Sequence, residues 1–154
     1  MIAISSPQRS KPLIVQTQID IKASKEEIWS VLIAPQYIAK WDSLPPHHSA
    51  KEELAHGTVL RYPGIGDDYT EFTVSEKIKN QKLTLQLYCS HWQGTKDDYD
   101  ISYEYTIHRM EGLNFLELRM GDFDALSKGI MYFDASLDFA NNALNKIKAI
   151  AENL

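Results

Sequence analysis

Cysteine is almost absent from this sequence. Cys89 stands alone among 154 residues, so no disulfide can form within the chain. A reducing compartment is the simpler expectation, and the chain reads as cytoplasmic. Excess basic charge is absent too: 16 Lys and Arg stand against 21 Asp and Glu, for a net charge of −5. That balance supplies no basic face for phosphates, so no nucleic-acid partner is expected. Long apolar runs are missing. The stretch from Val31 to Pro35 is far too short to cross a bilayer, and no membrane partner is expected. Residues 1–12 are polar, carry Pro7 and Pro12, and read as a loose arm rather than a secretory signal.

Signatures of catalysis are as scarce. Gly64-Ile65-Gly66 is isolated in a turn and is no phosphate loop. There is no Gly-x-Ser-x-Gly elbow and no His-Glu-x-x-His pair. Cys89 has no second cysteine with which to build a metal site. His47-His48 read as a loop pair, since adjacent histidines rarely point at one ion. Cys89 and His91 share a strand face at i, i+2, but Cys89 reads as a small buried hydrophobe. Asp97, Asp98 and Asp100 lack the rest of a calcium loop and read as a solvated hairpin tip. No cofactor and no metal are expected.

What the chain does have is ordinary globular composition, 44% hydrophobic and 24% charged, at a length suited to one domain, here residues 13–154. Leu13 to Ile21 alternates apolar and polar residues as a strand does. Ser24 and Glu27 form a capping box for a helix whose stripe is Ile28, Trp29, Val31 and Leu32. Pro35 stops that helix, and a short helical turn follows to Trp41 before Pro45-Pro46 breaks the chain. Strand patterns then follow one another: weakly over 48–55, then at 58–62, 71–78, 83–89, 101–108 and 116–120, with turns at 63–67, 80–81, 94–98 and 111–112. Phe133, Leu137, Ala140, Leu144, Ile147, Ala151 and Leu154 recur at spacings of three and four, the apolar face of one long helix.

A sheet with one apolar face and a helix with one apolar stripe must cover each other. The expected fold is therefore α+β: a curved antiparallel sheet of about six to seven strands gripping a long C-terminal helix, with short helices after the first strand. A curved sheet rarely closes flush on a helix, so a cavity between them is expected.

Tyr62, Phe72, Tyr103 and Tyr105 are placed on the inward face with Leu85, Leu87, Leu118 and Met120. Trp41 is assigned to a lid or wall, and Phe133, Leu137 and Ala140 to the roof. Aromatic walls carrying a few hydroxyls suit an amphipathic ligand, with rings burying apolar area and O–H groups orienting it. The same rings would equally serve as plain core filling. Glu76 shares strand parity with Phe72 and Val74, so it is a candidate buried acid or base; pairing with a lysine at a strand end is the plainer alternative.

Three segments carry a family resemblance. Ile28-Trp29-Ser30-Val31-Leu32 with Ala34-Pro35 and Trp41 is similar to a Val-Trp-x-x-Leu-x-x-Pro opening that runs on to a tryptophan. Val74-Ser75-Glu76 leads through Asn80 and Lys82 to Leu83-Thr84-Leu85, and Leu144 to Lys148 with Glu152 closes the chain. Together they resemble the START-like, or SRPBCC, superfamily with its helix-grip fold, and within it the homologues of the heat-shock-90 ATPase activator. Where that family often carries a tryptophan in the last helix, this chain has Ala140 with Phe139 beside it, which reshapes one end of the cavity. The resemblance implies a hydrophobic cavity and, in order of preference, three roles: binding a small hydrophobic or aromatic ligand, a chaperone-associated partnership with another protein, or a cyclase- or dehydratase-like activity. Fold alone does not choose among them.

Overall fold

A computed structural model describes residues 11–48 and 52–154. Most of the expected arm, residues 1–10, lies outside the described residues, as do 49–51 of the weak strand pattern at 48–55. Residues 52–55 join no strand; Leu54 instead donates its N–H to the Ile33 carbonyl at 3.0 Å and buries its side chain.

Strand β1 (Val15–Ile21) leads into helix α1 (Lys25–Ile33). Its start is fixed as the sequence predicts: Ser24 Oγ accepts from the Glu27 N–H at 3.0 Å, and Glu27 Oε1 accepts from the Ser24 N–H at 2.9 Å. Pro35 ends α1 by opening α2 (Pro35–Trp41), occupying the first-turn position where a missing N–H costs nothing. Five strands follow: β2 (Val59–Pro63), β3 (Tyr69–Ile78), β4 (Lys82–Cys89), β5 (Ser102–Met110) and β6 (Leu113–Gly121). Helix α3 (Gly129–Ala151) closes the order.

The six strands form one open, curved antiparallel sheet in the order β1-β6-β5-β4-β3-β2. Its tight turns use left-handed backbone, as at Glu111-Gly112, where φ is 51° and 80°. The concave face is apolar. Tyr105 opposes Leu83 and Leu118, Tyr103 opposes Leu85 and Met120, and Phe72 opposes Leu60 and Leu87.

One irregularity re-aims a side chain. The β3–β4 register shifts between Val74 and Glu76, a bulge that turns Glu76 away from the face shared by Phe72 and Val74. Glu76 instead meets Lys82 Nζ at 3.2 Å and the Thr84 hydroxyl at 3.3 Å on the convex face.

Helix α3 lies in the concavity but off centre, packing mainly on β1, α1, α2 and β6. Its C-terminal half is pinned there. Lys148 Nζ donates to the Asp20 carbonyl at 2.6 Å, and Glu152 accepts the Lys22 N–H at 2.8 Å. Ala140, Ala143, Leu144, Ile147 and Ala151 are buried against α1 and the sheet. Small alanines let the helix approach closely at that end. The N-terminal half, with larger residues, stands off from β2 to β5.

Candidate functional site

That stand-off leaves a cavity of about 310 Å³ between the N-terminal half of α3 and the sheet. Leu60 and Tyr62 of β2, Thr70 and Phe72 of β3, Leu85 of β4, and Tyr103 and Tyr105 of β5 form its floor. Tyr132, Ala135, Ser136 and Phe139, at helical spacings, form its roof. Asp42, Ser43 and Ala135 are exposed at its mouth.

The rings form a continuous wall. Tyr62 meets Phe72 edge-on at 6.3 Å between centroids, Phe72 meets Tyr103 at 5.1 Å, and Tyr103 meets Phe139 at 5.9 Å. The first two are edge-to-face contacts, which favour fixed ring orientations, and the third is tilted at 39°. Trp41 packs behind Tyr105 at 5.9 Å and donates its indole N–H to the Val31 carbonyl at 2.8 Å.

The hydroxyls on this wall differ in their partners. Tyr62 donates to the Ser43 carbonyl at 2.6 Å, tying the segment after α2 to the sheet. Tyr103 lies 3.3 Å from Ser136 Oγ. The Tyr105 side chain is only 1% exposed, yet its hydroxyl bonds no group among the described residues. It is not sealed in protein either, since His108 Nε2 is the buried side-chain polar atom left unpartnered among those residues. Tyr105 lines both the cavity and the small pocket beside it.

Burial, and then the charge of Asp42, pushes the Tyr62 and Tyr105 phenols above their ordinary range, and burial does the same for Tyr103. All three stay neutral hydroxyls at neutral pH. Crowding at the cavity rim desolvates the Asp42 carboxyl and raises its pKa, although water still reaches one side of it.

Tyr132 separates this cavity from a larger, more polar groove of about 670 Å³ bounded by His91, Trp92 and residues 124–128. Its hydroxyl accepts the Trp92 indole N–H at 3.0 Å and lies 3.2 Å from His91 Nε2. Cys89 is buried with Thr70 Oγ1 at 3.6 Å, and burial raises its thiol pKa, which keeps it protonated. His47 and His48 bond the Val59 and Glu52 carbonyls, and Asp98 caps the Thr95 N–H. Among the described residues, no group of three His, Cys, Asp or Glu is placed to hold a metal ion. No helix of the described residues is long and apolar enough to cross a membrane.

Of the residues singled out in the sequence, Tyr62, Phe72, Leu85, Tyr103 and Tyr105 come together around the cavity. Trp41 lines a small pocket beside it. Leu87, Leu118, Met120 and Ala140 lie in the packed core. Phe133 is partly buried outside the lining, and Leu137 is 37% exposed. Asp42, Ser43, Leu60, Thr70, Tyr132, Ala135, Ser136 and Phe139 complete the lining without having been assigned to it from sequence. Ser136 had a signal: it lies one helical turn before Ala140, on the buried stripe. Asp42 had none, because it follows a helix end in irregular chain.

No protein-family model matches the chain, and no curated protein matches it in sequence. Solved structures do match. Protein MLL2253 from Mesorhizobium loti is 15% identical, with a TM-score of 0.68 over 91% of this chain and 97% of that one. Aha1 from Colwellia psychrerythraea, solved as a dimer, is 15% identical, with a TM-score of 0.61 over 88% of this chain and 96% of that one. DynU16, from the dynemicin biosynthetic locus, is 11% identical, with a TM-score of 0.66 over 90% of this chain; the match spans about half of that protein, 47%. At these identities the likeness is one of architecture alone: it shows that the chain has a helix-grip fold, a curved antiparallel sheet around a long C-terminal helix.

Proposed function

We propose that this protein binds a small, largely apolar or aromatic molecule between the sheet and α3. The observation that carries the reading is the open cavity walled by Tyr62, Phe72, Tyr103 and Phe139. The cavity opens to solvent past Asp42, Ser43 and Ala135 and holds about 310 Å³. It lies at the small end of the range for ligand pockets, about 300–1,000 Å³. Affinity would come mainly from apolar burial, at about 25 cal/mol per Å² before the costs of association. The reading treats residues 13–154 as one unit, since β1 pairs with β6 and α3 packs on β1.

The enzyme reading built on Glu76 finds no support, because that carboxylate lies on the convex face with Lys82. The chaperone-associated reading has only a likeness of fold behind it.

The test is calorimetric titration with 2-naphthalenemethanol, a neutral aromatic probe. Ala135→Trp, at an exposed helix position on the cavity mouth, is expected to weaken binding at least tenfold without lowering Tm by more than a few degrees. Undiminished binding by a folded Ala135→Trp variant would contradict the reading.

A further inference from the structure

The polar groups of this cavity are unevenly signed. Among the described residues its lining contains one carboxylate, Asp42, and no lysine, arginine or histidine. Asp42 forms no ion pair among the described residues; the cation whose field reaches it is Lys146, on α3, which lies beyond salt-bridge distance. Below Asp42 the lining is aromatic, and ring faces carry negative potential. Tyr105 lines the same space, almost wholly buried, and its hydroxyl has no partner among the described residues, which leaves its lone pairs free. Tyr62 already spends its proton on the Ser43 carbonyl, so toward a ligand its oxygen can only accept.

We infer that the cavity prefers a protonated amine carried on an apolar or aromatic body, with the ammonium at Asp42 and the Tyr105 oxygen and the body against the ring wall. This rests on the cavity being a ligand site. An ammonium group satisfies the features that are otherwise left open. Its N–H groups donate to the carboxylate and to the unpartnered hydroxyl, in charge-assisted bonds stronger than neutral ones. Its charge is also favoured by the ring faces. A carboxylate ligand of the same shape meets the opposite condition: like charge at the mouth and no cationic partner among the described residues of the lining. The desolvation that raises the Asp42 pKa works in the same direction, since an incoming cation offsets it.

The experiment compares three probes of one shape at pH 7 by calorimetry: 2-naphthylmethylamine, 2-naphthalenemethanol and 2-naphthoate. The amine is expected to bind about tenfold or more tighter than the alcohol, the size of one charge-assisted hydrogen bond. The naphthoate is expected to bind at least tenfold weaker than the alcohol. In Asp42→Asn the ratio of amine to alcohol affinity is expected to collapse toward one, and Tyr105→Phe is expected to lower it severalfold. Circular dichroism establishes that both variants are folded. If the alcohol binds and the amine binds no better, the ligand site stands and the amine preference is overturned. Naphthoate binding at least as tightly as the amine, or an unchanged ratio in folded Asp42→Asn, overturns it as well. If none of the three binds, the ligand site and the preference fall together.

Discussion

The Tyr103 hydroxyl and Ser136 Oγ stand 3.3 Å apart, joining β5 to α3 across the concave face. Ser136 is 4% exposed, so this pair is a buried polar link between floor and roof beside the cavity. A buried hydroxyl left without a partner costs about 1–3 kcal/mol, while removing both partners together costs less. Ser136→Ala and Tyr103→Phe are therefore expected to be non-additive. A double-mutant cycle by urea denaturation should return a coupling of about 0.5–1.5 kcal/mol. Strict additivity would show that the two hydroxyls do not bond.

Glu71 gives an asymmetric prediction. Its side chain is 1% exposed, between Arg61, at 2.7 Å, and Lys96, both of which are half in water. Replacing Glu71 by Gln frees two cations that solvent can take up, at an expected cost of about 1–2 kcal/mol. Replacing Arg61 and Lys96 together by Met strands a buried carboxylate, at an expected cost of about 3–5 kcal/mol. Equal costs would contradict the burial of Glu71.

The same site sets an acid dependence. Burial alone would raise the Glu71 pKa, but the hydrogen bonds from Lys96 and Arg61 outweigh it and hold the carboxyl below its ordinary value. A depressed folded pKa contributes stability above the unfolded value of about 4.3, and that stability is lost as pH falls through the folded pKa. Wild type should therefore lose more stability than Glu71→Gln between pH 6 and pH 3, measured by urea midpoints.

The tyrosines set an alkaline dependence with the opposite sense. Burial raises the phenol pKa of Tyr62, Tyr103, Tyr105 and Tyr132, four of the eight tyrosines. A raised phenol pKa favours the protonated form in the folded state. Its stabilisation is full below the unfolded pKa of about 10 and is lost as pH rises beyond it. Absorbance at 295 nm should show these four phenols ionising above the ordinary value of about 10. A single ordinary titration of every phenol in the folded protein would contradict this.

The sequence made the elements readable where one local signal dominated. Ser24 and Glu27 marked the start of α1, alternation marked β3 to β6, and the three-four spacing marked α3. It misled where an element's orientation depends on distant packing. A bulge before Glu76 takes that residue off the face that parity gave it, so the buried-acid candidate is wrong and the plainer reading, pairing with a lysine, is the one the structure has, with Lys82 at 3.2 Å. On α3 Ser136 is buried while Leu137, beside it, is 37% exposed at the half of the helix that stands off from the sheet. Tyr62, Tyr103 and Tyr105 were placed together by strand parity alone. Asp42 joins them only through the path of the chain after α2, which no periodicity encodes.

The most direct test of the account is an NMR titration with 2-naphthalenemethanol that maps where the ring sits. The account predicts shifts concentrated at Phe72, Leu85, Tyr105, Ser136 and Phe139, with Glu76 and His108 unmoved on the convex face. Shifts confined to the groove around His91 and Ala125, or no shifts at saturating probe, would contradict it.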